Sequence, residues 1–102
     1  MPEFVTLARL EDLPPGSSKE VEYEGKIVAL FNLDGAIVAV DGICPHQGGP
    51  LADGVCRGGV VTCPWHGWQF NLRDGRSTTF NSIRIPVFEV RIEGEAIQVA
   101  VT

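Results

Sequence analysis

Two short segments of the chain each set a thiol close to an imidazole: Cys44-Pro45-His46 and Cys63-Pro64-Trp65-His66, separated by the sixteen residues from Gln47 to Thr62. Soft thiolates stabilise ferric iron bridged by sulfide, and neutral imidazole suits iron or zinc, so two Cys and two His together are a plausible donor set for either metal. Spacing bears on the choice. Structural zinc usually pairs like with like, as C-x2-4-C and then H-x3-5-H, whereas here each segment supplies one donor of each kind. That alternation suits two irons held side by side, each loop giving its Cys to an inner iron and its His to an outer one. A structural zinc remains open on the residues alone. The donor inventory is short: His46 and His66 are the only histidines, and a third cysteine, Cys56, stands outside both pairs. Three thiols cannot all pair. Cys56 reads as a small buried or idle thiol and receives no role.

The elements that must carry these donors are strands. Apolar and polar residues alternate with period two through most of the chain, with glycine-containing turns between the runs, so an all-β fold without a long helix is expected. Val21 to Glu24 alternates; Lys26 to Leu33 and Ala36 to Val40 flank Asp34-Gly35, a short-turn dipeptide that suits a two-residue hairpin. Phe88, Val90 and Ile92 share one face opposite Glu89 and Arg91, and Glu93-Gly94-Glu95 turns the chain into Ile97, Val99 and Val101. Leu10 to Gly16 contains Pro14-Pro15-Gly16 and reads as a short helical turn and loop. From about Asp41 to Phe80 glycines and prolines crowd together, and this stretch holds both histidines, all three cysteines and both tryptophans. A loop-built subdomain over about 41–80, inserted in a β base formed by 1–40 and 81–102 within a single domain, is the expectation.

Length and charge exclude other classes. A chain of 102 residues, 44% hydrophobic, can bury a core without disulfide staples and is not disordered. Its formal net charge of -5 repels phosphate backbones and anionic lipid, so nucleic acid is not an expected partner. The longest strictly apolar runs, Ile27 to Phe31 and Ala36 to Val40, are too short to span a bilayer, and Met1-Pro2-Glu3 does not open like a secretion signal. A cytoplasmic location and no membrane association are expected, the odd thiol count fitting a reducing compartment. Trp65 and Trp68 are placed either at an interaction surface or packed over the loops. Pro45 and Pro64 stiffen the ligand turns, and Gly67 permits an unusual φ. Arg57 and Arg73 could border the metal, and Glu20, Glu22 and Glu24 read most simply as a solvated face, with a docking patch for a basic partner as the sharper reading.

The two loops, CPHQGGPLADG and CPWHGWQF, resemble the cluster-binding loops of the Rieske iron–sulfur proteins, whose pattern is C-x-H, a linker, then C-x-x-H. Two His replace two Cys on one iron of such a [2Fe-2S] centre. The resemblance spans essentially the whole chain and implies an antiparallel sandwich or incomplete barrel as base. It implies that Cys44 and Cys63 bind the buried iron and His46 and His66 the outer one. The quinol-oxidising branch of the family carries an extra Cys in each loop, joined in a disulfide; the matching positions here are Gly49 and Trp65. That branch also places Ser and Tyr donors after its second ligand pair, where Trp68 and Phe70 stand here. Loss of those hydroxyl donors implies a potential toward the low end of the Rieske span, roughly -150 mV rather than +300 mV.

A low-potential domain of this kind resembles the ferredoxin component of bacterial aromatic-ring-hydroxylating dioxygenase systems. The implied role is a one-electron carrier, monomeric in isolation, that takes electrons from a flavoprotein reductase and gives them to a terminal oxygenase. It is not expected to be an enzyme. With His46 and His66 committed to a cluster no histidine remains for a two-His, one-carboxylate iron site, and neither a Ser-His-Asp arrangement nor a phosphate-binding glycine loop can be assembled. The alternatives are a Rieske-type small subunit of a nitrite reductase or other reductase, and a structural zinc-binding module.

Overall fold

The computed structural model describes residues 3–44, 48–65, 67–78 and 82–101. Among the described residues nine strands run β1 (Phe4–Arg9), β2 (Ser18–Tyr23), β3 (Lys26–Leu33), β4 (Ala36–Asp41), β5 (Val55–Arg57), β6 (Val60–Thr62), β7 (Gln69–Asn71), β8 (Val87–Glu93) and β9 (Ala96–Ala100). Among the described residues the only helical pieces are 3-10 turns at Leu10–Asp12, within the segment read as a helical turn and loop, and at Leu51–Asp53. Six strands form one antiparallel sheet in the order β1-β9-β8-β4-β3-β2, and three form a second in the order β5-β6-β7. The large sheet curls until its edges β1 and β2 approach each other, giving the incomplete barrel.

Local chemistry explains the base. Asp34 and Gly35 both adopt positive φ, 55° and 106°, the geometry a tight hairpin needs to match strand twist. Glu24 and Gly25 turn the chain from β2 into β3 in the same way. Between the strands, the Pro14-Pro15-Gly16 loop is tied to the end of β3 by Asn32. The amide Nδ2 of this buried side chain donates to Leu13 O at 2.9 Å, and its Oδ1 accepts from Gly35 N at 2.6 Å, so both polar ends are satisfied away from water.

β3 is buried on both faces. Side chains alternate across a strand, so Val28 and Leu30 point one way and Ala29 and Phe31 the other. Val28 and Leu30 join Ala8, Leu13, Ala39, Ile97, Val99 and Val101 in a core inside the barrel. Ala29 and Phe31 join Val40, Leu51, Val61, Phe70, Leu72 and Ile85 in a second core that also contains Cys44 and Cys63. A strand covered on both sides reads as a continuous apolar run, which is what Ile27 to Phe31 is. Each fully buried Leu or Phe contributes roughly 1.5–3 kcal/mol, and the second core holds four of them, Phe31, Leu51, Phe70 and Leu72, against Leu13 and Leu30 in the first.

The structure departs from the sequence reading in two places. The stretch read as loops carries the three-stranded sheet β5–β7, whose three-residue strands are too short to show a period beside Gly58 and Gly59. Phe4–Arg9, which the patterning left unassigned, is an edge strand paired with β9 and irregular between Thr6 and Ala8.

Candidate metal centre

The two donor-bearing loops are built alike. In the first, Ile43 bridges Pro50, leaving residues 44–49 between them; in the second, Thr62 pairs with Gln69, leaving residues 63–68. Each loop therefore holds six residues, and in each the first is cysteine. Cys44 N donates to Gly49 O at 2.9 Å, and Cys63 N donates to Trp68 O at 2.7 Å, so both cysteines close their loop from the first position onto the carbonyl of the sixth. Gly48 and Gly67, at φ 76° and 75°, turn each chain back toward its strand in the left-handed region that glycine enters without cost.

Further bonds fix the loops to the base. Gly42 N donates to Ile27 O at 2.8 Å, and Leu51 N donates to Gly42 O at 3.0 Å, which anchors the first loop to β3. Asp41 Oδ1 accepts from Ile43 N at 3.0 Å where the chain leaves β4. Under the second loop, Gln69 Nε2 donates to Thr62 Oγ1, and Thr78 Oγ1 donates to Gln69 Oε1, both at 3.2 Å. This side-chain ladder ties the closing pair of the loop to the segment after β7, and nothing in the sequence pattern marks it beyond the polar residues themselves.

The closures turn Cys44 and Cys63 inward, where each is 1% exposed. The two thiols, from different loops, come within hydrogen-bonding reach of each other and are not joined in a disulfide. Burial pushes the Cys63 thiol up from its ordinary value; a hydrogen bond from the backbone N–H of Trp65 opposes this, and the neighbouring Cys44 thiol adds to it. Without metal, Cys63 therefore keeps its proton near neutrality, and a metal that binds it must displace that proton.

Of the four donors singled out in the sequence, the structure brings Cys44 and Cys63 together. His46 and His66 lie outside the described residues, as does Pro45, and no group of three or more His, Cys, Asp or Glu gathers among those described. Cys56 sits apart on β5 opposite Val61, its thiol raised by burial and partly relieved by Gly59. It lines a cavity of about 350 Å³ with Ser17, Ser18, Asn32, Gly59 and Arg73, and neither Cys44 nor Cys63 reaches that cavity. Phe70 is fully buried in the core beneath the loops, and Trp68 packs against it. Trp65 is 48% exposed and lies against Gly49 of the first loop. Residues 42–52 and 58–72, which include both loops, carry no Asp, Glu, Lys or Arg.

Comparison with known proteins bears on the donor set. A model of the Rieske [2Fe-2S] domain matches residues 3–89. The chain is 30% identical over 98 residues to the ferredoxin component of the naphthalene 1,2-dioxygenase system of Pseudomonas aeruginosa, covering 95% of this chain and 94% of that one. It is 37% identical over 95 residues to apoptosis-inducing factor 3 of Mus musculus, where it covers 92% of itself but spans only 16% of the relative's length. Among solved structures, the ferredoxin of carbazole 1,9a-dioxygenase from Nocardioides aromaticivorans IC177 superposes with a TM-score of 0.90 at 25% identity, covering 97% and 98% of the two chains. A Mycobacterium tuberculosis protein assigned as an NADH-dependent nitrite reductase small subunit superposes with a TM-score of 0.88 at 30% identity, covering 100% of this chain and 97% of that one.

Proposed function

Because the chain belongs to the Rieske [2Fe-2S] domain family, we propose that it is a one-electron carrier whose cluster is held by Cys44, His46, Cys63 and His66. The observation that carries this reading is the meeting of two buried, unbridged thiols from two loops of identical closure. The donor set fits the group: thiolates suit the inner iron and its sulfides, and imidazoles suit the outer iron. When bound, a cluster of this type accepts one electron and gives it up again.

The chain's own residues do the rest. Cys44 and Cys63 anchor the inner side, their backbone N–H groups fixed to Gly49 O and Trp68 O so that the main chain carrying each sulfur is held in place. Phe31, Val61, Phe70 and Leu72 keep water from that side. Uncharged surroundings oppose the gain of negative charge, because neither loop offers a cation to offset it. That, with Phe70 unable to donate a hydroxyl bond, supports a potential toward the low end of the span.

The donor is a flavoprotein reductase and the acceptor a terminal oxygenase. The likeness to the naphthalene dioxygenase ferredoxin component, and to the ferredoxin in a complex with the oxygenase of carbazole 1,9a-dioxygenase, supports this assignment. The chain acts as a component rather than as an enzyme in its own right. A cytoplasmic, monomeric carrier fits this role, and no helix among the described residues is long and apolar enough to cross a membrane. The likeness to a nitrite reductase small subunit favours a second reading, a fixed subunit of a larger reductase. Stable co-purification with a large partner would select that second reading over a diffusible carrier.

Anaerobic reconstitution with iron and sulfide tests the proposal. The expected product is coloured and gives a paramagnetic signal after one-electron reduction. A colourless protein that takes up zinc in preference to iron would contradict it.

A further inference from the structure

The two ligand loops meet at one glycine. Gly49 is buried, and its α-carbon faces the second loop so closely that a β-carbon built there would lie 2.7 Å from Cys63 Sγ, 3.0 Å from Trp65 Cγ and 3.1 Å from Trp65 Cβ. The carbonyl of the same residue accepts from Cys44 N at 2.9 Å. Gly49 thus touches the backbone of one thiol-bearing residue and the sulfur of the other.

None of these neighbours is free to give way. The Cys63 backbone is held by its bond to Trp68 O, and its sulfur is buried against Cys44. Trp65 Cβ and Cγ are the root of that side chain, not its flexible end, and follow the backbone of a six-residue loop closed by the Thr62 and Gln69 pair. Gly49 itself is fenced by the Cys44 closure and by the Ile43 bridge to Pro50. A contact this tight, between parts this fixed, sets a distance.

We infer that Gly49 and Trp65 are a positioning pair that gauges the gap between the two loops, and with it the separation of Cys44 from Cys63. The glycine lets the first loop rest directly on the Cys63 sulfur, and the Trp65 ring root backs the second loop against it. A methyl group at 49 drives the loops apart along the direction of that sulfur. Loss of the indole leaves the sulfur unbacked on one side and opens it to water. The inference rests on the cluster reading above, since the gap matters only if both loops grip one group.

The test uses the full chain reconstituted with iron and sulfide. It reads the rate of cluster loss to an iron chelator and the midpoint potential, with the thermal midpoint of the metal-free protein as control. Gly49→Ala is expected to speed loss at least tenfold and shift the potential. Trp65→Ala alone is expected to speed loss several-fold, with the metal-free thermal midpoint unmoved, and Trp65→Phe, which keeps the ring root, to stay near wild type. Trp65→Ala removes the Cγ contact at 3.0 Å and frees the room the indole filled, so the double variant Gly49→Ala/Trp65→Ala should lose its cluster more slowly than the product of the single effects requires. Single effects that simply multiply, or a Gly49→Ala protein with wild-type rate and potential, overturn the inference. If Gly49→Ala does not fold, Trp65→Ala decides, and a wild-type loss rate there overturns it. A wild-type protein that takes up no iron would instead sink the cluster reading, whereas a coloured wild type matched by its variants sinks only the gauge.

Discussion

Leu30 and Phe31 are adjacent in β3 and fully buried, yet they serve different cores. Leu30 faces a barrel interior whose fully buried side chains are all aliphatic, with Tyr23 and Phe88 packed at its margin, and the pairing of β3 with β2 and β4 is regular. Phe31 faces a core that ends in two cysteine thiols, roofed by short loops and a small sheet. The first is complete as soon as the chain folds. The second encloses thiols that a metal must deprotonate, so its integrity is tied to what those thiols hold. One strand thus couples a scaffold that needs nothing to a site that needs a cofactor.

The most severe way to break this contrast is at the thiols. Cys44→Ser or Cys63→Ser should abolish iron retention entirely, read by iron content and visible absorbance, while circular dichroism still reports the β base; a Ser variant with wild-type iron content would remove that residue from the donor set.

Adjacent truncations in β3 sharpen the comparison. Leu30→Ala should cost roughly 2–5 kcal/mol in urea unfolding, equally with and without the cluster, because the barrel core does not sense it. Phe31→Ala should cost roughly 3–5 kcal/mol in the loaded protein and clearly less in the metal-free one, whose loops are already unsupported. Equal penalties for Phe31→Ala in both forms would mean that the upper core is as self-sufficient as the lower.

A smaller effect should appear with pH. Cys56 and Cys63 both titrate above the ordinary thiol value of 9.0 in the folded metal-free chain. A group whose folded pKa is raised holds its proton more tightly when folded, so its contribution is full below the unfolded value and is lost as pH rises through the folded one. The metal-free protein should therefore lose stability on moving into alkali above about pH 9 in thermal melts. Within the same interval the loaded protein, with Cys63 engaged as thiolate, should lose less. Least of all, Glu22→Gln on the exposed face of β2 should change stability by under about 0.5 kcal/mol and leave the cluster spectrum untouched.

Much of this was legible in the residues. Asp34-Gly35 announced its hairpin because positive φ restricts which residues can turn so tightly, and Cys44 and Cys63 announced themselves by their nearby histidines. The double burial of β3 was not legible, although Ile27 to Phe31 showed it as an unbroken apolar run, because periodicity cannot say what lies on either side. The β5–β7 sheet was hidden for a different reason: its strands are shorter than the pattern needed to detect them, and only pairing across the intervening loops, such as Val60 with Asn71, reveals them. The approach of Gly49 to Cys63 is a tertiary contact between loops distant in sequence, and no local rule writes it.

The central claim is the proposed unsymmetrical donor set, Cys44 and Cys63 on one iron and His46 and His66 on the other. Mössbauer spectroscopy of protein reconstituted with iron-57 tests it most directly. Two distinct iron environments of equal intensity are expected in the oxidised state, with the added electron localised on one of them after reduction. A single environment, or iron that never enters the folded protein, would contradict the account.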